Sequence, residues 1–445
     1  MQMSSWISSK ALTIVLGFAT CFAVALAPSP AVAGNGHFLY GVGAVQASMG
    51  GVGAGLPTDV LGALFLNPAM LSELEEGHHM VFGVELVQSD STVTSTVSTP
   101  FGPFTGSTEG ESDLAPIPAV GWSYRPEGGR VTFGFGVLGL AGFATDYPAD
   151  PTNPILAPQP QGLGRVQADY TLLQIPFAIS WQVRDNLAFG FQINGGWATL
   201  EATPFGGLSP DCSGPTTCFF RSVDKDGAFG YGFQLGVYFE PNPKFGLGFS
   251  YISEQTYEDF SWNTTVANPN LPTFGLSSRQ RFDLDSPQII AAGIGFRPSS
   301  QWSFGLDARL ISYSSTDGFR GGPIDPVTFT SPGLGWDDIW VFGIGGQYEF
   351  NNGVTVRAGY NLSDAAVQPE TAFFNVQSPA NFEDHYALGL GFPLYESLDV
   401  HIGYYHVPEN AVGGAFQSPF GPVPGTNVTN EISVDSYQFA FSFKP

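Results

Sequence analysis

From His79 onward, large apolar and small residues alternate along the chain with a period of two. In Leu187-Ala188-Phe189-Gly190-Phe191-Gln192-Ile193-Asn194, four bulky groups share one face and Ala, Gly, Gln and Asn share the other. The same scheme recurs at 131–137, 229–237, 245–251 and 437–443. Strict alternation marks a strand with two unlike faces. In a soluble sandwich the second face would carry Lys, Glu, Thr and Arg to water. Here it carries mostly Gly, Ser, Ala and Gln. A face that small suits the inside of a barrel that already holds something, with the aromatic face turned to lipid.

Connection lengths alternate as well. Short turns at 126–129, 184–186, 241–243, 298–300, 351–353 and 395–397 separate long Pro/Gly/Asn/Ser-rich segments at 91–114, 145–166, 203–226, 259–280, 316–333, 364–380 and 408–430. Six turns and seven loops join fourteen strands, expected near 78–90, 115–126, 130–143, 167–183, 187–202, 228–240, 244–258, 281–297, 301–315, 335–350, 354–363, 382–394, 398–407 and 431–443. The prediction is an all-β, 14-stranded antiparallel transmembrane barrel, closed so that no edge is left unpaired in lipid. Pro118, Pro176 and Pro287 cannot donate to a ladder and mark bulges or kinks. Pro118 and the 139–142 stretch are the candidates for a bulged strand. Trp122, Tyr124, Trp181, Trp197, Trp336 and Trp340 suit interfacial girdles, with ordinary packing as the alternative.

Residues 41–74 break the alternation. They are rich in small residues, almost uncharged before Asp59, and weakly helical. Thr58 is placed to cap a helix in which Val60, Leu61, Leu64 and Phe65 follow at helical spacing. Asn67-Pro68 offers a second start, because Asn accepts backbone N–H bonds and Pro fits the first helical position. Two short helices bury no core of their own and need a container. Residues 34–77 are therefore expected to plug the lumen as a small helical hatch, and 78–445 to form the barrel.

Composition agrees. Charged residues make up 12% of the 445, well below the usual quarter for soluble proteins. The net charge of −24 excludes a nucleic-acid surface. Residues 1–33 read as a cleaved signal peptide: Lys10, an apolar run, then Ala31-Val32-Ala33. A lipoprotein alternative, cleaved before Cys21, lacks the small, Leu-led lead-in. Cys212 and Cys218, close together in a polar stretch of an exported chain, point to a local loop disulfide, with two free thiols as the alternative. No later run of 18 apolar residues offers a transmembrane helix.

An export signal followed by Gly41-Val42-Gly43-Ala44-Val45, Met49-Gly50-Gly51-Val52-Gly53-Ala54, Asp59, Ala63-Leu64-Phe65 and Asn67-Pro68-Ala69 resembles the hatch of the outer-membrane long-chain fatty-acid and aromatic-hydrocarbon transporters, the FadL/TodX-like family. Trp336-Asp337-Asp338-Ile339-Trp340, with the glycine-rich run to Tyr348, is similar to a late strand of that family. Val356-Arg357-Ala358-Gly359-Tyr360 with Asp384-His385 is similar to its next hairpin. The resemblance implies a monomeric plugged barrel in the bacterial outer membrane, folded by the barrel assembly machinery among outer-membrane lipid. It implies capture of a hydrophobic small molecule and sideways exit through a gap at a kinked strand. Barrels of that family usually end in an aromatic residue; this chain ends Phe443-Lys444-Pro445.

A carrier of this kind needs apolar walls and a polar group for a ligand head. Phe65, Leu66, Met70 and Leu71 are candidate lining residues, with packing against the wall as the alternative. By parity Arg357, Asp307 and Arg309 face the lumen. Arg309 or Arg357 could hold a carboxylate, or these charges tie the hatch to the wall. Asn67-Pro68-Ala69 reads as an architectural cap. Gly134-Phe135-Gly136-Val137-Leu138-Gly139 fits a nucleotide-loop pattern but lies inside a strand with no helix after it. No cofactor or metal is expected: His78, His79, His385, His401 and His406 lack ligand spacing, and the acidic loop pairs lack the calcium-loop spacing. An outer-membrane enzyme of lipase or protease type, and a structural or adhesive barrel, are the alternatives to a transporter. No nucleophile elbow is present to support the enzyme.

Overall fold

In the computed structural model, residues 35–111, 114–158, 161–203, 223–265, 276–322, 333–418 and 420–444 are described. The proposed signal peptide, Cys212 and Cys218 lie outside them. The wall strands are β1 (Gly77–Thr99), β2 (Ala115–Arg125), β3 (Val131–Tyr147), β4 (Val166–Arg184), β5 (Leu187–Thr203), β6 (Val223–Asn242) and β7 (Phe245–Ile252). They continue as β8 (Ile289–Phe296), β9 (Trp302–Ile311), β10 (Ile339–Glu349), β11 (Thr355–Ser363), β12 (Asp384–Tyr395), β13 (Leu398–Gly414) and β14 (Thr426–Phe443). Each pairs antiparallel with its neighbour. β1 closes the ring by pairing with β14 from Met80↔Phe443 to Val97↔Thr426 and with β2 from Gly77↔Arg125 to Val87↔Ala115. The result is a closed 14-strand antiparallel barrel. Among the described residues no helix is long and apolar enough to cross a membrane.

The two faces fall as the alternation predicts. On β5, Phe189, Phe191 and Ile193 are 44–54% exposed on the outside, while Gly190, Gln192 and Asn194 are buried inside. The outer band of aromatics packs along the sheet surface, as Phe135 does against Phe177 with ring centres 5.0 Å apart, and presents the rest of its area to hydrocarbon. Trp181 and Trp340 stand on it, but Trp336 does not. It is 1% exposed and packed inside the outer end of the lumen.

Three expected connections differ. The segment expected as a loop at 91–114 is largely a hairpin, Gly102–Glu109 folding back on the outer half of β1. Its alternating Thr and Ser favour strands, and antiparallel pairing satisfies backbone that would otherwise need water. β13 and β14 likewise extend through much of 408–430. Conversely, β7 and β8 are shorter than expected. After Ile252 the chain turns inward, and the buried Tyr257 ring fills the hollow left by Gly196 and Gly230. Pro287 thus lies just outside β8.

Candidate functional site: the hatch, the wall break and the outer chamber

Residues 35–74 run inside the barrel from its long-loop end toward its short-turn end, where they join β1. Helix α1 (Gly43–Ala47) and helix α2 (Val60–Leu66) are followed by a 3-10 turn, Pro68–Glu73. The cap of α2 is Asp59 rather than Thr58: its Oδ1 accepts from Gly62 N at 2.8 Å. A carboxylate at this place also answers the positive end of the helix, which a threonine does not.

Asn67 does cap the 3-10 turn, accepting from Ala69 N at 3.1 Å. Its Nδ2 donates to Ala54 O at 2.9 Å and to Val237 O of β6 at 3.1 Å, so one side chain ties the turn to the hatch and to the wall. Ser180 of β4 donates to Ala69 O at 3.0 Å. Close approach of backbone to wall is what the inward glycines allow. A Cβ on Gly248 would land on Ala54 O, and one on Gly345 on Met49 O. Gly134 and Gly136, from the misleading nucleotide-like pattern, make room for Leu64 and Leu71.

Phe65, Leu66, Met70 and Leu71 are all buried in this hatch–wall interface. Asp307 accepts from Gly53 N at 2.7 Å and Ala54 N at 2.8 Å. Arg309 donates to Tyr40 O at 2.9 Å and to Gly51 O, and its guanidinium lies 5.8 Å from the centre of the Phe65 ring. Both charges therefore hold the hatch. Arg357 stands apart from them, with Nε donating to Gln347 at 3.1 Å and Nη1 3.5 Å from His401 Nδ1.

The wall is interrupted between β2 and β3. Their pairing runs only from Tyr124↔Phe133 to Ala119↔Leu138. Above this, the β3–β4 register shifts between Gly139 and Ala141, so that Leu140 is bulged; Pro176, which supplies no N–H, lies further along β4 against Gly136. Of the two predicted candidates for the bulge, the 139–142 stretch carries it. The wall recloses where Glu111 N donates to Asp146 O at 2.7 Å. Between these points β3 is paired not with β2 but with the hatch tip: Leu39 N donates to Leu140 O at 2.8 Å, Gly142 N to His37 O at 3.0 Å, and Phe38 bridges Ala141. Backbone released from the wall cannot stay unpaired next to lipid; residues 37–39 satisfy it from inside.

The tip sits in a chamber that sequence reading missed. His37 is ringed by Phe38, Phe319, Tyr313, Tyr170 and Trp336, with ring centres 4.3–6.0 Å away. Burial pushes the imidazole down to about 3, so it is neutral at any physiological pH. A cavity of about 10 Å³ lies beside it, at the lower limit for a single water. The only clue in the sequence was a lone histidine amid glycine and aromatics at the start of the expected hatch. Apart from Phe38, its partners come from segments more than a hundred residues away.

A barrel of lipid-facing strands whose lumen is filled by its own N-terminal segment, with a covered break in one wall, defines a plugged outer-membrane channel rather than an open pore. Residues 35–444 match the family described as outer membrane protein transport protein (OMPP1/FadL/TodX), and the chain belongs to that family. It is a family of transport proteins, not enzymes. Comparison with curated protein sequences finds no match. Among solved structures, the chain is similar to a Pseudomonas aeruginosa FadL homologue (TM-score 0.70, 17% identity, 92% of this chain and 98% of that one). It is also similar to the P. putida toluene transporter TodX (TM-score 0.68, 17% identity, 92% and 99%) and the Ralstonia pickettii toluene transporter TbuX (TM-score 0.59, 20% identity, 90% and 98%). At these identities the likeness speaks to the fold.

Proposed function

We propose that this protein carries hydrophobic compounds, long-chain fatty acids or aromatic hydrocarbons, passively across the outer membrane. In this reading residues 1–33 are a removed signal, 34–77 the hatch, and the rest a monomeric barrel. The ligand binds in the apolar outer lumen and shifts the hatch tip. It then leaves sideways between β2 and β3. The observation that carries the proposal is the pairing of Leu39 with Leu140, since one small movement of 37–39 both opens luminal space and uncovers the wall break. The driving physics is transfer between apolar surfaces, about 0.8 kcal/mol for each CH₂ kept out of water. Phe65, Leu66, Met70 and Leu71 would line the path once the hatch moves. The hydrogen bonds of Arg357 go to Gln347 and His401 of the wall, although the hatch carboxylate Asp59 attracts it, and it is the stronger candidate for a ligand carboxylate, while Arg309 would reach one only after its hatch bonds break.

The test is uptake of labelled oleate and toluene by cells with the gene, without it, and with residues 41–74 removed. Gene-dependent uptake that changes on removal of the hatch is expected. Uptake indifferent to both ends the proposal.

A further inference from the structure

Resting on the transport reading above, we propose that His37 selects apolar ligands that carry one hydrogen-bond donor, such as a phenol, a long-chain alcohol or an undissociated carboxylic acid. Hydrocarbons and ethers of the same shape bind less well. The argument begins with Tyr313. Its hydroxyl donates to Asn35 O at 2.9 Å, and a carbonyl can only accept, so the single phenolic proton is committed. The Tyr313 oxygen then accepts from His37 N at 3.3 Å and from His37 Nδ1 at 3.1 Å. This network assigns the proton of the neutral ring to Nδ1. Nε2 is left as a bare acceptor, and it has no hydrogen-bond partner among the described residues although His37 is 1% exposed.

No donor of the surroundings reaches Nε2. The indole N–H of Trp336 is already given to Asn375 at 2.6 Å. The Tyr170 hydroxyl and the Asn35 amide are buried donors without partners among the described residues, and neither lies within hydrogen-bond distance of Nε2. A carboxylate or an ether would bring lone pair against lone pair, and a hydrocarbon would leave the buried acceptor unanswered. Only an O–H or N–H donor pairs it. Tyr313 occupies the Nδ1 edge of the imidazole, and room for a ligand starts from the small cavity beside the ring, lined by Phe143 and Ala144 of β3 and by Trp336, Ala380 and Phe382.

The test uses the purified full-length barrel in detergent and three related probes: p-cresol, toluene, which lacks the hydroxyl, and 4-methylanisole, in which it is capped by a methyl group. Wild type is expected to bind p-cresol about tenfold tighter than 4-methylanisole. His37→Phe should abolish that preference and leave 4-methylanisole within about twofold of its wild-type affinity, as expected for one lost hydrogen bond. In ¹⁵N-histidine-labelled wild type, the Nε2 resonance of His37 should move on adding p-cresol but not 4-methylanisole. This readout decides the matter even where the variant fails to fold. Equal binding of all three probes, or a preference that survives in His37→Phe, overturns selectivity by His37 and leaves transport standing. No binding of any probe overturns selectivity by His37 together with the aromatic-hydrocarbon half of the transport reading.

Discussion

The amide of Leu39 donates to the carbonyl of Leu140 at 2.8 Å, joining the hatch tip to a stretch of β3 that is not paired with β2. The bond answers a local need, since the bulge at Leu140 turns backbone groups away from β2. It also makes the tip and the wall break a single mechanical unit.

A covalent lock on that unit should stop transport. Phe38 and Ala141 are antiparallel bridge partners, so their Cα atoms lie about 4.5–5.5 Å apart, within disulfide range. In a Cys212→Ser/Cys218→Ser background, Phe38→Cys with Ala141→Cys is expected to abolish toluene uptake when oxidised and restore it on reduction. Uptake that continues through the oxidised form would place the route elsewhere.

The Asp307 carboxylate is sealed against two hatch amides and next to Arg309. Asp307→Ala leaves those amides and a buried guanidinium without their counterpart, a loss of roughly 3–5 kcal/mol. Asp307→Asn, which keeps an acceptor, should cost less. Hydrogen exchange at Gly53 and Ala54 reads the effect where it arises.

The two faces of β7 should respond oppositely. Gly248→Val drives a side chain into the Ala54 carbonyl and is expected to cost about 3 kcal/mol, the upper end for overpacking. Phe249→Ala, on the lipid face next to it, should change the hatch by less than about 0.5 kcal/mol. Limited proteolysis of 41–74 in detergent separates the two, the barrel itself remaining folded in both.

Asp59 sets a pH dependence. One oxygen caps α2, the other is shut in without a hydrogen-bond partner among the described residues, and burial, outweighing the cap and the attraction of Arg357, raises the group from 3.8 to about 6. The folded hatch therefore holds this proton between about pH 4 and 6, where the unfolded segment has lost it, so hatch stability rises as pH falls from 7 to 4. The gain is about 2 kcal/mol after allowance for partial exposure. Asp59→Asn should keep the cap and flatten the profile, as read by hydrogen exchange in α2 at pH 5 and pH 7.

Much of the architecture was legible before any coordinates. Phe189, Phe191 and Ile193 against Gly190, Gln192 and Asn194 fixed which face meets lipid, because a strand has only two faces and only one could tolerate hydrocarbon. Asn67-Pro68 announced a helix start through local chemistry alone. Legibility failed where the deciding partner was distant. Trp336 looked like a girdle residue, yet it packs on His37 across some three hundred positions of chain. Thr58 and Asp59 were adjacent choices for one cap, separated only by where the chain turns.

Taken alone, the order of residues determined the strand periodicity, the alternation of short and long connections, and the need of a glycine-rich segment for an enclosure. These are properties of neighbours along the chain. Only the tertiary structure decided that Asp307 and Arg309 grip the hatch, that the break in the wall is covered by Leu39, and that one nitrogen of His37 stays unpaired. Each of these depends on which backbone groups meet after the ring has closed, and closure is set by all the strands at once.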